Sequence, residues 1–541
     1  MKSTLLLPTL LLLLTSFATA QEDPEEETFS ERCEGLVSTF SAADTDILLA
    51  SYVTEGTTMD FPHSVGTGCA LSSTSLADMC RLRLNVTTST TSSVIVEVFM
   101  PTDWSSKGER FLMTGNGGLG GCIQYPDMTY GTKLGFAVVG HDNGHAGLSG
   151  LPFLNRPEVI TDYSWRALRV AGQIGKSVVN HFYPSTISKS YYMGCSGGGR
   201  SGLKAAQEFP EEYDGIVSAA PAINWHRVMS VAVQIFKATG TPGSPTHLNL
   251  AQWNKVHQMV LDQCDGIDGV LDNVVEDAMK CQPRPEALLC GPGQTWATDQ
   301  CLTAAQVATV RTVYSPVYGN NGRLVSPRLN PLTQEFVGYP FMYGGVPSSI
   351  TEEWYKYALY SDPNWTIAND FTLDTYDDDF QTNPADVSTS KTDLTDAKNN
   401  NTKILMYHGL TDCLISSENS YLYYESVSRD MGLPSSQLDP FFRFFPIAGM
   451  DHCYSGQGAW FMGGSVQYGP AGALDVDPSD SVLMTMVKWV EQGIAPETLT
   501  GRKLVNGVVT GEKAHCKHPL KTTYKGTGDH NLASSWECRA A

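Results

Sequence analysis

Short apolar runs alternate with stretches of helical spacing over much of the first half of the chain. Three short, mainly apolar runs predict strands, at 94–100, 110–113 and 136–140. Between Trp165 and Phe182 apolar residues recur at helical spacing, which predicts an amphipathic helix. A further strand at 191–193 and a helix ending near Pro210 follow. Strands that alternate with helices in this way predict an α/β fold with a partly parallel sheet.

The pattern changes in the middle of the chain. Between about Asn224 and Asn401 turn residues are frequent, and four of the thirteen cysteines lie within 264–301. The alternation then resumes, with predicted strands at 403–407 and 441–445 and a predicted helix at 481–491. We therefore expect one α/β domain formed by residues 21–224 and 402–541, interrupted by an inserted domain of residues 225–401.

Composition and charge argue against several classes of protein. Of the 541 residues, 36 are Lys or Arg and 57 are Asp or Glu, which gives a net charge of −21. Such a surface repels nucleic acids and anionic membranes, and no cluster of basic residues offsets it. A hydrophobic fraction of 41% with 17% charged residues fits neither a disordered chain nor a coiled coil. We expect a folded protein with no nucleic-acid or membrane partner, whose oligomeric state the sequence leaves open.

The N-terminus has the three parts of a secretory signal peptide. Lys2 supplies the positive charge, residues 5–14 form an apolar run, and Ala18-Thr19-Ala20 is a small-residue cleavage site. The apolar run is too short for a stable membrane anchor. We expect residues 1–20 to be removed and the mature protein to be secreted and extracellular.

Export to an oxidising compartment changes how the cysteines and sequons are interpreted. Thirteen cysteines are then expected to form disulfide bonds, and their odd number leaves at least one over. Three Asn-x-Thr sequons are expected to be glycosylated in surface loops, at Asn85, Asn364 and Asn400.

A nucleophile motif lies between the predicted strand at 191–193 and the helix after it. Residues 194–198 read Gly-Cys-Ser-Gly-Gly and match G-x-S-x-G, in which a serine stands on a strained turn with its hydroxyl exposed. Ser196 is therefore the candidate nucleophile. Oxyanion-hole donors are expected from the N–H of Gly197 and from the glycine-rich loop 115–118, where we assign Gly117. The alternative is a glycine-rich turn without chemistry, which is less favoured in this strand–helix context.

The acid and base of such a site are expected later in the chain, in the order Asp then His. Asp412 follows the predicted strand 403–407, and His452 follows the predicted strand 441–445. His452 would accept the proton of Ser196, and Asp412 would orient the imidazole. Asp451 is an alternative candidate for the acid. Three histidines are alternative candidates for the base, namely His408, His515 and His518.

Cysteines stand next to two of these candidates. Cys195 precedes Ser196 and Cys453 follows His452. If the serine and histidine lie within hydrogen-bonding distance, the two cysteines fall within the Cα separation of ~4.4–6.8 Å that a disulfide needs. Cys413 is a competing partner, so geometry alone leaves the pairing open. Cys195 as the nucleophile is the weaker alternative, because an oxidising compartment favours its pairing.

These residues resemble the fungal tannase and feruloyl esterase family, which has a Cys-Ser, Asp and His-Cys arrangement with its two cysteines bridged. The resemblance covers nearly the whole mature chain and is clearest in four segments, at 115–119, 194–202, 213–221 and 449–453. It implies an α/β-hydrolase fold with a large inserted lid domain between nucleophile and acid, and a Cys195–Cys453 bond. The elbow reads Gly-Cys-Ser-Gly rather than the Gly-Cys-Ser-Asp associated with tannases, so the sequence looks closer to the feruloyl esterase B type.

The insertion contains a candidate metal loop at 264–274. Three carboxylates fall within eight residues, a density of hard oxygen ligands that suits Ca²⁺, although the spacing is not that of an EF-hand. The segment resembles the calcium loop of the family's lid. This implies a structural Ca²⁺ held by the side chains of Asp265, Asp268 and Asp272 and by the carbonyls of Val270 and Val274. A solvated acidic turn is the alternative.

Five further disulfide bonds are expected. Cys264–Cys281 could close the acidic loop, and Cys290–Cys301 could close the next one. The resemblance adds three pairs and leaves Cys413 over; they are Cys33–Cys80, Cys69–Cys122 and Cys516–Cys538.

The expected activity follows from the candidate triad and the resemblance. We expect a secreted serine carboxylesterase that hydrolyses phenolic-acid esters, above all feruloyl or other hydroxycinnamoyl esters. Its substrate would be a small phenolic ester or a feruloylated cell-wall polysaccharide. A tannase cleaving galloyl esters is the alternative within this class. A non-catalytic, calcium-stabilised polysaccharide-binding module is the alternative from another class, but binding alone needs no aligned Ser, Asp and His. Acyl specificity depends on lid side chains, and Trp354, Tyr355 and Trp365 either line an acyl pocket or, as we favour, form the core of the lid.

Overall fold

The computed structural model describes residues 1, 27–292, 301–332, 338–468 and 480–540. Apart from Met1, the expected signal peptide of residues 1–20 lies outside the described residues. Within these ranges no helix combines the length and the apolar character needed to cross a membrane.

A mixed sheet of nine strands runs through the centre of the molecule. Its strands in chain order are β1 (Thr45–Val53), β2 (Met79–Ser89), β3 (Ser92–Pro101), β4 (Arg110–Thr114), β5 (Ala137–His141), β6 (Lys189–Cys195), β7 (Gly215–Ala219), β8 (Lys403–Gly409) and β9 (Phe442–Ile447). Their order across the sheet is β1-β2-β3-β5-β4-β6-β7-β8-β9. The first three strands and the β3–β5 pair are antiparallel, and all remaining neighbours are parallel. The loops after β6, β8 and β9 therefore emerge at the same edge.

Helices cover both faces of the sheet. The longer ones are Phe29–Thr39, Tyr125–Lys133, Ala167–Phe182, Gly197–Glu208, Trp225–Thr239, Leu250–Cys264, Ala304–Val313, Asp374–Thr382, Glu418–Met431 and Val482–Gln492. In the described part of the chain, shorter helices span Pro157–Thr161, Ser349–Glu353, Thr395–Asn399 and Ser435–Leu438.

Alternate residues of each strand enter different cores. In β4, Phe111 and Met113 pack with the helices Ala167–Phe182 and Gly197–Glu208 on one face. Leu112, between them, packs on the other face with the helix Val482–Gln492. This two-residue period buries both faces of the parallel strands, which explains their continuous apolar runs.

The inserted residues lie between β7 and β8 in the chain and share a hydrophobic core with residues of the α/β domain, such as Phe153, Tyr163 and Ile415. That core contains Trp253, Trp354, Tyr355 and Trp365. Among the described residues the insertion adds no strand to the central sheet; its strands Val317–Tyr318 and Leu324–Ser326 pair with each other. The three aromatic side chains left open by the sequence are therefore core residues and do not line the cavity of Ser196, but their core is shared with the α/β domain.

Three further two-stranded sheets lie outside the central one. They pair Thr58–Asp60 with Ser72–Thr74, Thr498–Val505 with Val508–Cys516, and Leu520–Tyr524 with Trp536–Ala540. The last two form the C-terminal part of the chain, where the sequence pattern predicts no strand.

The disulfide bonds of the described residues join the expected cysteines. The six bonds are Cys33–Cys80, Cys69–Cys122, Cys195–Cys453, Cys264–Cys281, Cys290–Cys301 and Cys516–Cys538. Cys413 is buried next to the candidate acid.

The three sequons differ in their surroundings. Asn364 and Asn400 are exposed, as expected of glycosylation sites. Asn85 instead lies half-buried within β2, paired with both β1 and β3. The prediction of a surface loop is wrong for Asn85, because it takes the polar position between the buried Leu84 and Val86 of an antiparallel strand.

Candidate active site

The candidate nucleophile stands on a strained turn at the end of β6. Ser196 has φ 63° and ψ −120°, a conformation that costs energy for any residue with a side chain. Its N–H donates to the carbonyl of Ala219 at 3.0 Å, and its carbonyl accepts from the N–H of Arg200 at 2.9 Å. The turn is therefore fixed to the next strand and to the first turn of the following helix, as a nucleophile elbow requires.

Glycines are needed around this turn because backbones approach closely. A Cβ at Gly194 would lie 2.8 Å from the carbonyl carbon of Gly198. A Cβ at Gly115 would lie 2.7 Å from the Cα of Gly198, so the loop after β4 contacts the elbow directly. A Cβ at Gly197 would meet the carbonyl oxygen of Asn116 at 3.2 Å. The structure thus brings together the two segments expected to supply oxyanion-hole donors.

The loop after β4 is held from beneath by a buried polar pair. Asn116 Nδ2 donates to the carbonyl of His141 at 2.7 Å, and His141 Nδ1 accepts from the N–H of Asn143 at 3.1 Å. Burial lowers the pKa of His141 to about 3, so this histidine is neutral beneath the loop. Gly117 follows Asn116 and lines the same cavity as Ser196, with open space where a Cβ would stand.

The candidate acid and base meet beside the elbow. Asp412 follows β8 and His452 follows β9, and Asp412 Oδ2 lies 2.7 Å from His452 Nδ1. The other oxygen, Oδ1, accepts the backbone N–H groups of Leu414 at 2.8 Å and Ile415 at 2.9 Å. Burial alone would raise the pKa of Asp412, but the nearby His452 and the hydrogen bonds from His408 and His452 outweigh it and hold the pKa well below its usual range.

A disulfide bond joins the nucleophile loop to the base loop. The Cα atoms of Cys195 and Cys453 are 5.9 Å apart, and both side chains are buried. Ser196 and His452 line one cavity next to this bond. The residues next to Ser196 and His452 in the sequence are therefore joined by a covalent bond.

The rival residues of the sequence lie elsewhere. His408 is buried behind Asp412, with its Nε2 3.1 Å from Asp412 Oδ2. Asp451 accepts from the Thr411 hydroxyl at 2.8 Å, and His515 Nε2 lies 2.8 Å from the carbonyl of Ala459. Neither these side chains nor His518 lines the cavity that contains Ser196.

The cavity at the elbow has a volume of about 320 Å³ and mostly apolar walls. The insertion contributes four of its side chains, Trp225, Val228, Met229 and Ile350, and the loop after Asp412 contributes Leu414 and Ile415. Sequence reasoning missed these wall residues. The helical spacing of Trp225, Val228 and Met229 would have predicted a helix there, but not which face meets the elbow.

The acidic loop lies behind the acid and base loops. Val274 packs with Leu410 and Ala448, which precede Asp412 and His452 by a few residues. Leu410 and Ala448 thus connect the loop to both catalytic segments, a contact that the sequence does not predict.

The carboxylates of this loop are only partly engaged by the protein. Asp265 Oδ1 is buried and accepts no hydrogen bond. Asp268 accepts the N–H groups of Val270 and Glu276, both at 3.0 Å, and Asp272 Oδ1 accepts that of Val274 at 3.0 Å. Across the described ranges no group of three or more His, Cys, Asp or Glu side chains forms a metal site by itself. A cation here would need carbonyl oxygens as well, and the orphaned oxygen of Asp265 fits such a ligand set.

A neighbouring lysine reduces the negative charge of the loop. Lys513 is buried, forms an ion pair with Glu276, and has its Nζ 3.9 Å from Asp272 Oδ2. The same Nζ lies 3.7 Å from the ring centroid of Trp536. The C-terminal strands therefore contribute to the surroundings of the acidic loop.

Comparison with known proteins agrees with this arrangement. The sequence matches the family described as "Tannase and feruloyl esterase" over residues 80–354 and 356–539. A probable feruloyl esterase B-2 of Aspergillus terreus is 42% identical over 536 residues, which cover 98% of either chain. The crystal structure of feruloyl esterase B from Aspergillus oryzae has a TM-score of 0.89 at 39% identity, covering 95% of this chain and 100% of that one.

A more distant structure has the same fold. The tannin acyl hydrolase from Aspergillus niger has a TM-score of 0.74 at 20% identity and covers 95% of this chain and 96% of that one. The nine-stranded sheet, the elbow after β6 and the order of Ser196, Asp412 and His452 are those of an α/β-hydrolase. The chain belongs to the tannase and feruloyl esterase family of carboxylic ester hydrolases.

Proposed function

We propose that this protein is a serine carboxylesterase that hydrolyses phenolic-acid esters, with feruloyl and other hydroxycinnamoyl esters of plant cell-wall polysaccharides as its substrates. The observation that carries the proposal is the apolar cavity lined by both Ser196 and His452, with Asp412 behind the histidine. The name of the Aspergillus terreus relative, probable feruloyl esterase B-2, supports the choice of acyl group.

In the proposed mechanism Ser196 Oγ attacks the ester carbonyl while His452 accepts its proton through Nε2. Asp412 accepts a hydrogen bond from His452 Nδ1–H, which fixes the tautomer and stabilises the imidazolium that forms. The alcohol leaves with the proton from His452, and an acyl group remains on Ser196. Water, deprotonated by His452, then attacks the acyl-enzyme, and His452 returns the proton to Ser196 Oγ as the acid is released.

The negative charge of each tetrahedral intermediate needs donors at the elbow. We assign these to the backbone N–H groups of Gly197 and Gly117, which lie on the two segments in contact there. Because the strained turn fixes Gly197 and the Asn116–His141 pair fixes the neighbouring loop, both donors are oriented before the substrate arrives.

The acyl group would occupy the apolar cavity. An aromatic ring with a short unsaturated chain buries apolar surface there against Trp225, Met229 and Ile350. Ile350 and Tyr454 are part-exposed at this cavity, so the alcohol side of the ester, including a polysaccharide, can extend towards solvent.

The experiment that tests the proposal compares initial rates on methyl ferulate, methyl caffeate and methyl gallate. We expect faster hydrolysis of the two cinnamates, and no hydrolysis by Ser196→Ala with an unchanged melting temperature. Preference for gallate would make the enzyme a tannase. Absence of hydrolysis, together with no labelling of Ser196 by a fluorophosphonate, would leave the binding-module alternative.

We further propose a structural Ca²⁺ in the acidic loop of the insertion. Its ligands would be the carboxylates of Asp265, Asp268 and Asp272 and the carbonyls of Val270 and Val274. The ion would compensate the carboxylate charge and stiffen the loop, which packs through Val274 on Leu410 and Ala448.

Removal of this ion should lower stability. We expect EGTA to lower the melting temperature and added Ca²⁺ to restore it, because a ligand that binds the folded state stabilises it. Asp265→Asn should weaken this response to Ca²⁺. A melting curve unaffected by EGTA would contradict the calcium assignment while leaving the esterase proposal intact.

Export and glycosylation complete the proposal. The signal peptide predicted at residues 1–20 and the disulfide-bonded fold support a secreted, extracellular enzyme. The exposed sequons at Asn364 and Asn400 are the sites we expect to carry glycans. Asn85 is a poorer acceptor because it lies within the sheet.

A further inference from the structure

A second histidine contacts the acid of the proposed triad. His408 lies in β8, four residues before Asp412, and its side chain is fully buried. Its Nε2 is 3.1 Å from Asp412 Oδ2, the same oxygen that lies 2.7 Å from His452 Nδ1. Two imidazoles therefore share one carboxylate oxygen.

The other ring nitrogen of His408 is also engaged. His408 Nδ1 lies 2.7 Å from the hydroxyl oxygen of Ser420, which is buried in the helix Glu418–Met431. Since the Asp412 carboxylate can only accept, His408 donates to it from Nε2–H. A neutral His408 then accepts the Ser420 O–H at Nδ1. These two hydrogen bonds fix the tautomer of His408, whose ring connects Ser420 of the helix to Asp412.

Burial and geometry exclude His408 from direct contact with the reaction. It does not line the cavity of Ser196, and its two ring nitrogens are occupied by Asp412 and by Ser420. The other acidic side chains on the flanking elements have partners elsewhere. Asp451 accepts from Thr411, and Glu418 pairs with Arg328 at 3.0 Å.

We propose that His408 is a positioning residue of the esterase: it donates to Oδ2 of Asp412, fixes that carboxylate towards His452, and reduces the negative charge that His452 meets. The inference rests on the proposed function, because it assigns Asp412 and His452 the roles of acid and base. Ser420 serves this arrangement by keeping the Nε2–H tautomer of His408.

The hydrogen bond from His408 also affects the base, His452, through the charge of Asp412. A carboxylate oxygen that accepts two imidazole N–H bonds attracts a proton on His452 less strongly than one that accepts a single bond. Loss of the His408 donor should therefore leave more negative charge on the carboxylate that faces His452. The acid limb of the pH–rate profile should then move to higher pH.

The test is the pH dependence of Ser196 labelling by a fluorophosphonate, which reports on the activated serine whatever the preferred acyl group. We expect His408→Leu to slow labelling about 10- to 100-fold, because that is the effect on a rate of losing one hydrogen bond to a charged group. The same variant should shift the acid limb to higher pH. His408→Gln can still donate from its amide, so it should recover part of the rate and of the limb position. Ser420→Ala should shift the limb in the same direction by less.

A buried histidine outside the site provides the matched control. His515 lies in the strand Val508–Cys516, is fully buried, and has its Nε2 2.8 Å from the carbonyl of Ala459. We expect His515→Leu to lower the melting temperature without moving the acid limb. If His408→Leu does not fold, Ser420→Ala and His408→Gln decide the question.

The outcomes separate the two proposals. A wild-type rate and acid limb in the folded His408 variants would overturn the positioning role while leaving the esterase intact. A wild-type protein that is neither labelled nor active would overturn the proposed function itself. A loss of melting temperature with an unmoved limb would mean that His408 is only structural.

Discussion

Asp127 is a buried carboxyl group behind the wall of the cavity. Its Oδ1 accepts the N–H of Val466 at 2.7 Å, and its Oδ2 accepts the hydroxyl of Ser465 at 2.5 Å. Both partners line the cavity that contains Ser196. Burial raises the pKa of Asp127 from 3.8 to about 6, although these hydrogen bonds oppose the shift.

The raised pKa makes this residue a source of pH-dependent stability. A group whose pKa is higher in the folded protein favours folding when it is protonated. The contribution of Asp127 is therefore fully present below pH about 4 and is lost as the pH rises through about 6. Asp127→Asn keeps a neutral side chain at every pH, and its amide can donate to the Ser465 hydroxyl, which can also accept.

We expect Asp127→Asn to match the wild type at pH 4 and to exceed its free energy of unfolding at pH 7.5 by about 1–3 kcal/mol. Urea unfolding at the two pH values measures this difference. Asp262→Asn, on the exposed surface of the helix Leu250–Cys264, is the control and should show no such dependence. An equal effect of Asp127→Asn at both pH values would contradict the argument.

The candidate catalytic residues could be predicted because their signals are local. Ser196 stands in a five-residue motif, and Asp412 and His452 each follow an apolar strand. His408 and Asp127 carry no comparable signal. Their roles arise from partners distant in the chain, such as Ser465 for Asp127, and from burial, which no spacing in the sequence encodes.

At the scale of elements, the strands found from the sequence are those buried on both faces. Their continuous apolar runs, as in β5 and β8, are hard to mistake. Not predicted were β2, where polar residues alternate with apolar ones, β1, which is mostly half-buried, and β7, whose run Gly-Ile-Val-Ser-Ala includes a glycine and a serine. It also missed the C-terminal strands, which are rich in Lys, Thr and Gly and are held by pairing and by the Cys516–Cys538 bond.

The Cys195–Cys453 bond is the element that joins the nucleophile loop to the base loop. It connects residues 258 positions apart, so in the chain-entropy model its removal also destabilises the fold, by about 5 kcal/mol at most. Its position beside Ser196 and His452 predicts a second effect. Without it, the two loops can separate even in the folded protein.

We expect Cys195→Ala combined with Cys453→Ala to lower kcat at least tenfold at a temperature where the variant remains folded. Cys516→Ala combined with Cys538→Ala removes a bond that does not line the cavity and should lower the melting temperature with little change in kcat. Rates measured ten or more degrees below each melting temperature separate the two effects. Full activity of the first double variant would mean that the bond is an ordinary structural bridge.

At the scale of the whole molecule, Arg200 connects the elbow helix with the rest of the chain. Its guanidinium is buried and donates to the carbonyls of Ser164 at 2.7 Å, Val387 at 3.0 Å and Tyr163 at 3.1 Å. It also lies over the rings of Tyr163 and Trp225, at 5.2 Å and 5.6 Å from their centroids. Arg200 thus contacts the sheet domain and both ends of the insertion at once.

This geometry needs the planar fork of an arginine. A lysine keeps the charge, but its single ammonium cannot reach three carbonyls in different directions while packing on two rings. We expect Arg200→Lys to lower the free energy of unfolding by about 2–4 kcal/mol, because at least one buried carbonyl loses its charged donor. The insertion should also separate more easily from the elbow, raising KM for ferulate esters more than it changes the rate of fluorophosphonate labelling.

Arg169→Lys is the matched control, because Arg169 is an exposed arginine that also lies over a ring, that of Phe209. It should change neither stability nor KM. Limited proteolysis is an independent test, since an insertion that separates from the sheet domain exposes its connecting segments near residues 224 and 401. If Arg200→Lys is as stable and as resistant to proteolysis as the control, the contacts of Arg200 do not hold the insertion in place. The walls of the cavity must then be fixed by the core around Trp354 instead.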